Sequence, residues 1–283
     1  YKIGDIVFAL RSRMNQGTFF ADPAYQGFET NAPVQVQLDV FTDHVPDLKD
    51  WRLVHDTGTL WRLFHQDGKW GYSLHSALRG DDPYQVAIFD QDFLTGNLYS
   101  RPAPDPGSTP FFPLRYPMAE LLMTNLLARG RGVMLHACAV KLGQRGIVFA
   151  GTSGAGKSTI ARLWGDQHDA VVLNDDRVIL RLEDERFWVY GTPWHGDVPD
   201  CSPGKAELAQ IFIIDHAGQN QISTIKPVER VSRLLLRAFS TFWYPAGLEF
   251  TIGLLSELCL AVPCQDLGFR PDPDFIPFIR KHV

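Results

Sequence analysis

Apolar and polar residues alternate over short stretches in the first hundred positions of the chain, which is the period of a half-buried β-strand. Residues 34–40 alternate in this way, and residues 61–72 contain two strand-like runs around an Asp67-Gly68 pair. Such a pair is typical of a tight hairpin, because both turn positions need left-handed backbone. These patterns predict a smaller, strand-rich N-terminal domain over residues 1–100, with a recognition or accessory role.

A different pattern begins after a proline-rich segment. Residues 101–114 contain several prolines, which exclude helix and interior strand and therefore predict a linker. Met118, Leu122 and Leu126 then recur at helical spacing. Strand-like apolar runs follow at residues 133–142, 147–150, 170–173 and 211–214. Strands that alternate with helices predict a C-terminal α/β domain with a mixed sheet over residues 115–283.

Composition narrows the classes of function. With 283 residues, 45% of them hydrophobic, the chain can bury a sizeable core. The net charge is −5 and no basic block stands out, so we expect no nucleic-acid partner. No apolar run reaches the roughly 18 residues that cross a bilayer, so we expect no membrane partner. The four cysteines form no C-x-x-C pair, which favours a reducing cytoplasm, where ATP is also supplied.

The segment from Gly151 to Ser158 fits the pattern G-x-x-x-x-G-K-[ST] at every fixed position. A strand-like run precedes it and a helix-like run follows it, which is the context of a phosphate-binding loop. Glycines let the backbone amides converge on phosphate oxygens, Lys157 reaches the outer phosphates, and the Ser158 hydroxyl ligates Mg²⁺. We therefore expect ATP, or another nucleoside triphosphate, and Mg²⁺ as cofactors. The residues expected to bind the nucleotide are Gly151, Ser153, Gly154, Ala155, Gly156, Lys157, Ser158 and Thr159.

A phosphate loop needs an acidic partner, and two candidates follow it. Asp175 and Asp176 end the next predicted strand, whereas Asp215 ends the apolar run 211–214, as the Walker B aspartate of conventional NTPases does. Two adjacent carboxylates can divide the work, one coordinating Mg²⁺ and the other accepting a proton from an attacking hydroxyl. The sequence does not distinguish the two roles; we assign Asp176, with Ser158, to the metal and Asp175 to the proton, and the reverse assignment stays open.

Several segments, taken in order, resemble the catalytic domain of HPr kinase/phosphorylase and its relatives. His136 precedes Gly151 by fifteen residues, the loop has the form G-x-S-G-x-G-K-S, and an acidic pair lies on the next strand. The remaining similar segments are residues 177–178, 191–194, 257–259, 262–264 and 269–272. The resemblance covers residues 115–283 and implies a phosphoenolpyruvate-carboxykinase-like P-loop fold. It also implies a serine kinase whose catalytic residues are His136, Lys157, Asp175 and Asp176.

The chain also departs from that family. It lacks the Glu-x-Arg-Gly signature associated with phosphorolysis, and residues 1–100 do not resemble the family's usual N-terminal domain. HPr is therefore a poor substrate candidate. The chain is similar to divergent members, some of which phosphorylate serine in peptides or free serine, so the expected acceptor is a serine-containing peptide, protein or small molecule. Because relatives are often oligomeric, a homo-oligomer is one expected assembly.

Two other functions fit the same loop. A conventional P-loop NTPase would hydrolyse nucleotide to drive motion or a switch, with Asp215 as its acidic residue. A non-catalytic nucleotide-binding protein would instead use the N-terminal domain to recruit a partner, but such a module has no need of the pair Asp175 and Asp176.

Some further positions have both a structural and a functional interpretation. His195 and Asp197 lie in a loop that could approach the site, where Asp197 would add to the metal shell. Lys205 is either a clamp for the transferred phosphate or a solvated loop lysine.

Three arginines complete the set of candidates. Arg230, Arg233 and Arg237 have i, i+3, i+7 spacing, which predicts one solvated face of a helix over residues 228–239. A site for a phosphorylated or acidic substrate is the alternative.

Overall fold

A computed structural model describes residues 1–13, 22–42, 44–77, 80–101 and 112–283. The chain forms two compact units, of which one comprises residues 1–2 and 6–126 and the other residues 3–5 and 127–283. It is a mixed α/β protein with two multistranded sheets, in which strands predominate. The predicted linker falls largely on residues 102–111, which lie outside the described residues. In the described part of the chain, no helix is long and apolar enough to span a membrane.

The first unit is built on an eight-stranded sheet. Its strands are β1 (Lys2–Ile3), β2 (Ile6–Ser12), β3 (Val36–Phe41), β4 (Arg52–Asp56), β5 (Trp61–Gln66), β6 (Lys69–Leu74), β7 (Gln85–Phe89) and β8 (Thr95–Ser100). Their order is β1-β2-β3-β8-β7-β6-β5-β4. The predicted hairpin is confirmed: β5 pairs antiparallel with β6, and Asp67 and Gly68 at its turn both have positive φ.

Helix α1 (Met118–Leu127) also belongs almost entirely to the first unit. Its apolar positions are buried, as the helical spacing predicts. Asn125 Nδ2 donates a 2.7 Å hydrogen bond to the hydroxyl of Tyr72 on β6. The first unit therefore continues to Leu126, whereas the sequence pattern placed the start of the second domain at residue 115.

The second unit contains the other sheet, which is mixed. Its strands are β9 (Val133–Leu142), β10 (Arg145–Ala150), β11 (Ala170–Asn174), β12 (Arg177–Glu183), β13 (Arg186–Tyr190), β14 (Lys205–His216), β15 (Gln221–Thr224) and β16 (Cys264–Phe269). Their order is β10-β9-β12-β13-β14-β16-β15, while β11 pairs with β9 and β10 also pairs with β14.

Helices cover both faces of this second sheet. Helices α3 (Pro227–Leu235) and α4 (Pro245–Ala261) pack on one face, and α2 (Lys157–Gly165) and α5 (Phe275–Arg280) pack on the other. Alternate residues of β9 divide between the two cores, because successive side chains of a strand point to opposite faces. Leu135 and Ala137 pack under α3 and α4, whereas Cys138 and Val140 pack under α2 and α5.

Strand β14 runs past the end of its neighbour β10. The two strands are parallel, and Ala150 at the end of β10 lies beside Ile213. Strand β14 continues for three more residues to His216, pairing there with β16. The turn that follows β10 is therefore flanked by β14 on one side and by β9 on the other.

Candidate functional site

The glycine-rich loop, residues 151–158, connects β10 to α2. Gly154 and Gly156 have φ of 80° and 103°, which are left-handed conformations that other residues rarely adopt. At Gly151, an added Cβ would lie 2.6 Å from Ile214 Cγ1. The glycines of the motif are thus required by the backbone of the turn and by its close approach to β14.

Several backbone amides of this loop donate no hydrogen bond to the described part of the protein and can therefore bind a ligand. Ala155 N donates to Thr152 O at 3.2 Å. The amides of Ser153, Gly154 and Gly156 have no hydrogen-bond acceptor among the residues that the structure describes. Helix α2 begins at Lys157 without a side-chain cap, so its first amides also lack an intrahelical acceptor. Such a set of amides at a helix N-terminus binds anions well.

Lys157 lies inside the loop. Its Nζ donates to the carbonyl oxygens of Gly151 at 3.1 Å and Thr152 at 3.0 Å, and its side chain is buried. Burial lowers the pKa of Lys157, while the charges of Asp176 and Asp175 raise it. The two carboxylates therefore stabilise the ammonium group in a largely desolvated position.

Asp175 is fully buried and holds three hydrogen bonds. Its Oδ2 accepts from the Ser158 hydroxyl at 2.7 Å and from Val198 N at 3.2 Å, and its Oδ1 accepts from Gly196 N at 2.6 Å. These donors compensate the burial of the charge. Asp175 thus joins the start of α2 to the loop at residues 196–198.

Asp176 differs from the fully buried Asp175, because 20% of its side chain is exposed to solvent. Its Oδ1 lies 2.8 Å from His136 Nε2, and its Oδ2 pairs with Arg177. Burial alone would raise the pKa of Asp176, but the His136 hydrogen bond and the Arg177 charge lower it below its ordinary value. Asp176 is therefore an ionised carboxylate that a ligand can reach.

Sheet register brings His136 to this position. On one side, His136 lies opposite Arg177, and Ala137 N donates to Asp176 O at 3.0 Å. On the other side, the His136 carbonyl accepts from Gly151 N at 3.4 Å. The residues that the sequence analysis assigned to catalysis, His136, Lys157, Asp175 and Asp176, are thus brought together with the loop.

An asparagine that sequence reasoning missed shapes the acidic turn. Asn174 is completely buried, and its Oδ1 accepts from Asp176 N at 2.7 Å and Arg177 N at 2.8 Å. Its Nδ2 donates to Thr192 O at 2.8 Å. Asparagine favours such side-chain-to-backbone turns, so its place directly before the acidic pair was an available signal.

Other candidates lie apart from this cluster. Asp215 is 66% exposed and lies 3.5 Å from Arg233, with no hydrogen bond to Ser158. The predicted loop does reach the site through the amides of residues 196 and 198, which donate to Asp175, while His195 Nδ1 lies 3.0 Å from Gly196 O. Lys205 is occupied elsewhere, in a network with Asp5, Glu183 and Tyr190.

The prediction of a single solvated arginine face is wrong. Helix α3 ends at Leu235, before Arg237, and Arg237 O accepts a 2.8 Å hydrogen bond from His136 N on β9. Arg230 Nε donates to Ile225 O and Arg233 pairs with Asp266. A helical periodicity in the sequence does not reveal where an irregular segment leaves the helix to pair with a strand.

A second contact of the loop was also missed by the sequence analysis. His216 Nε2 lies 2.7 Å from Gly154 O, at the end of β14. With Gly151 bonded to His136, the loop is held on both sides. No local signal marks His216, because the contact depends on how far β14 extends past β10.

The donor set suits a hard divalent cation that is shared with phosphate. The Ser158 hydroxyl and two carboxylates supply only oxygen ligands, and Mg²⁺ normally takes one or two carboxylates together with phosphate oxygens. Within residues 1–13, 22–42, 44–77, 80–101 and 112–283, no three His, Cys, Asp or Glu side chains form a group that could hold a metal ion alone. The oxygen donors of Ser158 and the acidic pair thus fit a hard cation that also binds phosphate oxygens.

No protein-family model matches this chain, and no curated protein is significantly similar to it in sequence. The resemblance to HPr kinase/phosphorylase therefore stays a hypothesis, and the contacts described above carry the functional inference.

Proposed function

We propose that this protein is a magnesium-dependent kinase of the HPr kinase-like type, with a P-loop nucleotide-binding domain. It transfers phosphate from ATP, or another nucleoside triphosphate, to a serine-type hydroxyl of a peptide, protein or small molecule in the cytoplasm. The observation that supports this most is the 2.7 Å hydrogen bond from Ser158 to Asp175 beside the 2.8 Å contact of Asp176 with His136. Asp175 contacts the start of α2 through this bond, whereas Asp215 pairs with Arg233, which favours the early acidic pair.

In this proposal the loop binds the phosphate chain. The amides of Ser153, Gly154 and Gly156 and those at the start of α2 donate to phosphate oxygens, and Lys157 turns from the loop carbonyls to the outer phosphates. Ser158 and Asp176 would hold Mg²⁺, which supplies positive charge between the outer phosphates when it is bound. Catalysis then depends on positioning and charge, as is usual for phosphoryl transfer.

The geometry changes the role that we give to Asp175. Its oxygens already accept three protein hydrogen bonds in a fully buried position, so we assign it to orienting Ser158 rather than to proton transfer. His136 donates from Nε2 to Asp176 in this proposal, which leaves the lone pair of its Nδ1 for the hydroxyl proton. Asp176 thus orients His136 as well as facing the metal.

A labelled-phosphate assay tests this function. The protein is incubated with γ-³²P-ATP and Mg²⁺ against free serine, a serine-peptide library and cell extract, with Lys157→Ala as the inactive control. We expect label on a serine-containing acceptor, abolished by Asp176→Asn and nearly unaffected by Asp215→Asn. No labelled acceptor from any source would contradict the kinase proposal.

One observation favours a conventional NTPase as the second candidate. Strand β14 is parallel to β10 and directly adjacent to it, so Asp215 lies at the same edge of the sheet as the loop. This candidate predicts release of inorganic phosphate without a labelled acceptor. It also predicts that Asp215→Asn removes activity while Asp176→Asn has the smaller effect.

A further inference from the structure

Three basic residues lie side by side across neighbouring chain segments at the loop. Arg177 on β12 lies opposite His136 on one side of β9. On the other side, His136 N donates to Arg237 O, and Leu135 and Ala238 form an isolated antiparallel bridge. Residues 237–239 thus pair with β9 just beyond the point where Gly151 leaves it.

The alternation of the strand indicates which way Arg237 faces. Leu135 and its bridge partner Ala238 both pack in the core under α3 and α4. Successive side chains point to opposite faces, so His136 and Arg237 face the side of the sheet where α2 and the glycine-rich loop lie. Burial lowers the pKa of Lys157, and the charge of Arg237 adds to this lowering.

The guanidinium of Arg237 is only partly satisfied by the protein. Its Nη1 donates to Arg233 O at 2.7 Å, whereas its Nε is buried and has no hydrogen-bond partner within the described part of the chain. Burial and the charge of Arg233 lower the pKa of Arg237, and Asp215 and Asp266 raise it. An arginine stays charged under these conditions, so its unused donors suit an anionic acceptor.

We propose that Arg237 binds the terminal phosphoryl group of the nucleotide through its guanidinium. This inference rests on the proposed function, because it requires a nucleoside triphosphate in the glycine-rich loop. The planar fork of arginine matches two phosphate oxygens.

During transfer, the bond from the γ-phosphorus to the β,γ-bridging oxygen breaks and a bond from phosphorus to the acceptor oxygen forms. The hydroxyl proton passes to His136, and the electron pair of the broken bond stays on the nucleoside diphosphate. Arg237 stabilises the charge on the oxygens of the transferring group throughout this step.

The affinities of the protein for Mg·ATP and Mg·ADP test the inference without knowledge of the acceptor. The proteins are wild type, Arg237→Ala, Arg237→Lys and the control Arg145→Ala. Arg145 is an exposed arginine at the start of β10, at the opposite end of that strand from the loop. We expect Arg237→Ala to weaken ATP binding about tenfold or more and to leave ADP binding nearly unchanged. Arg237→Lys should retain part of the preference for ATP, and Arg145→Ala should retain all of it.

The outcomes separate this inference from the proposed function. If the wild-type protein binds neither nucleotide, the proposed function fails, and this inference fails with it. If the wild type prefers ATP and Arg237→Ala keeps the same ATP-to-ADP ratio, or if the wild type binds both nucleotides equally, Arg237 does not bind the terminal phosphoryl group. Because Arg237→Ala removes a partly buried side chain, its thermal unfolding is compared with wild type. If it is unfolded, the ratio for Arg237→Lys decides, and an unchanged ratio there overturns the inference.

Discussion

The Ser158 hydroxyl donates a 2.7 Å hydrogen bond to Asp175, which lies seventeen residues later in the chain. Asp175 completes its set of donors with the amides of Gly196 and Val198. One buried carboxylate therefore connects the first turn of α2, the end of β11 and the loop that follows β13. Changes at any of these three positions are expected to affect the same site.

The first prediction concerns the charge of Asp175. Asp175→Asn keeps the size of the side chain but removes an ionised acceptor of three hydrogen bonds, so we expect a loss of about 1.5–3 kcal/mol in the free energy of unfolding. Urea unfolding measures it. Asp215→Asn is the comparison, because Asp215 is an exposed carboxylate whose ion pair contributes at most about 1 kcal/mol. Equal losses in the two variants would contradict the role given to Asp175.

The second prediction uses a glycine that touches the acidic pair. A Cβ at Gly196 would lie 3.0 Å from Asp175 Oδ2 and 3.2 Å from Asp176 Cβ, whereas a Cβ at Gly218 would meet nothing within 4 Å. We expect Gly196→Ala to displace the acidic pair and to weaken Mg²⁺-dependent nucleotide binding severalfold. Gly218→Ala should bind like wild type. Titration of a fluorescent nucleotide with and without Mg²⁺ measures the effect, and unaltered binding by Gly196→Ala would show that the pair tolerates displacement.

The third prediction concerns how the stability that Asp176 contributes depends on pH. The His136 hydrogen bond and Arg177 depress the pKa of Asp176 below its ordinary value of 3.8. A depressed carboxyl pKa stabilises the folded state above that ordinary value, and the contribution is lost as pH falls through the folded-state pKa. The stability advantage of wild type over Asp176→Asn should therefore shrink as pH falls below 3.8.

Urea unfolding between pH 2 and pH 6 checks this dependence. His136→Ala removes the hydrogen bond that lowers the pKa of Asp176. The stability advantage of His136→Ala over the double variant His136→Ala/Asp176→Asn should therefore vary less with pH than that of wild type over Asp176→Asn. A difference between wild type and Asp176→Asn that is constant with pH would contradict the assigned interaction.

The fourth prediction separates two kinds of glycine. Gly156 has φ of 103°, and its added Cβ would lie 2.6 Å from Phe269 Cε1, so Gly156→Ala should destabilise the fold by more than about 1 kcal/mol. Gly253 lies within α4, and its Cβ would meet nothing within 4 Å. Gly253→Ala should therefore stabilise by about 0.5–1 kcal/mol, because alanine is the better helix former. Thermal unfolding of the two variants shows whether their shifts have opposite signs.

Local sequence patterns correctly predicted several strands and the strand, turn and helix start around the glycine-rich loop. The alternation in residues 34–40 and the Asp67-Gly68 pair correctly predicted β3 and the β5–β6 hairpin. The glycine-rich motif marked a strand, a turn with left-handed glycines and a helix start, and all three are present. These features depend on the conformations of neighbouring residues, which the residue types themselves constrain.

Contacts between distant segments of the chain could not be predicted from the sequence in the same way. The helical spacing of Arg230, Arg233 and Arg237 suggested one surface face, yet Arg237 leaves the helix and pairs with β9. The roles of His195 and Asp197 were left open, and the structure shows instead that the amides of residues 196 and 198 donate to Asp175. Backbone amides and carbonyls are nearly the same in every residue, so residue types do not reveal which of them will form such contacts.

The sequence by itself determined which residues we assign to the proposed site, because a phosphate-loop motif, a paired acidic turn and a histidine can be recognised from residue type and spacing. Only the tertiary structure decided how they are paired. In the structure, Ser158 donates a hydrogen bond to Asp175, His136 contacts Asp176, and Asp215 pairs with Arg233. The reason is that these pairings follow from the register of β9, β10, β12 and β14. That register is set by the packing of both cores and by hydrogen bonds between segments far apart in the chain.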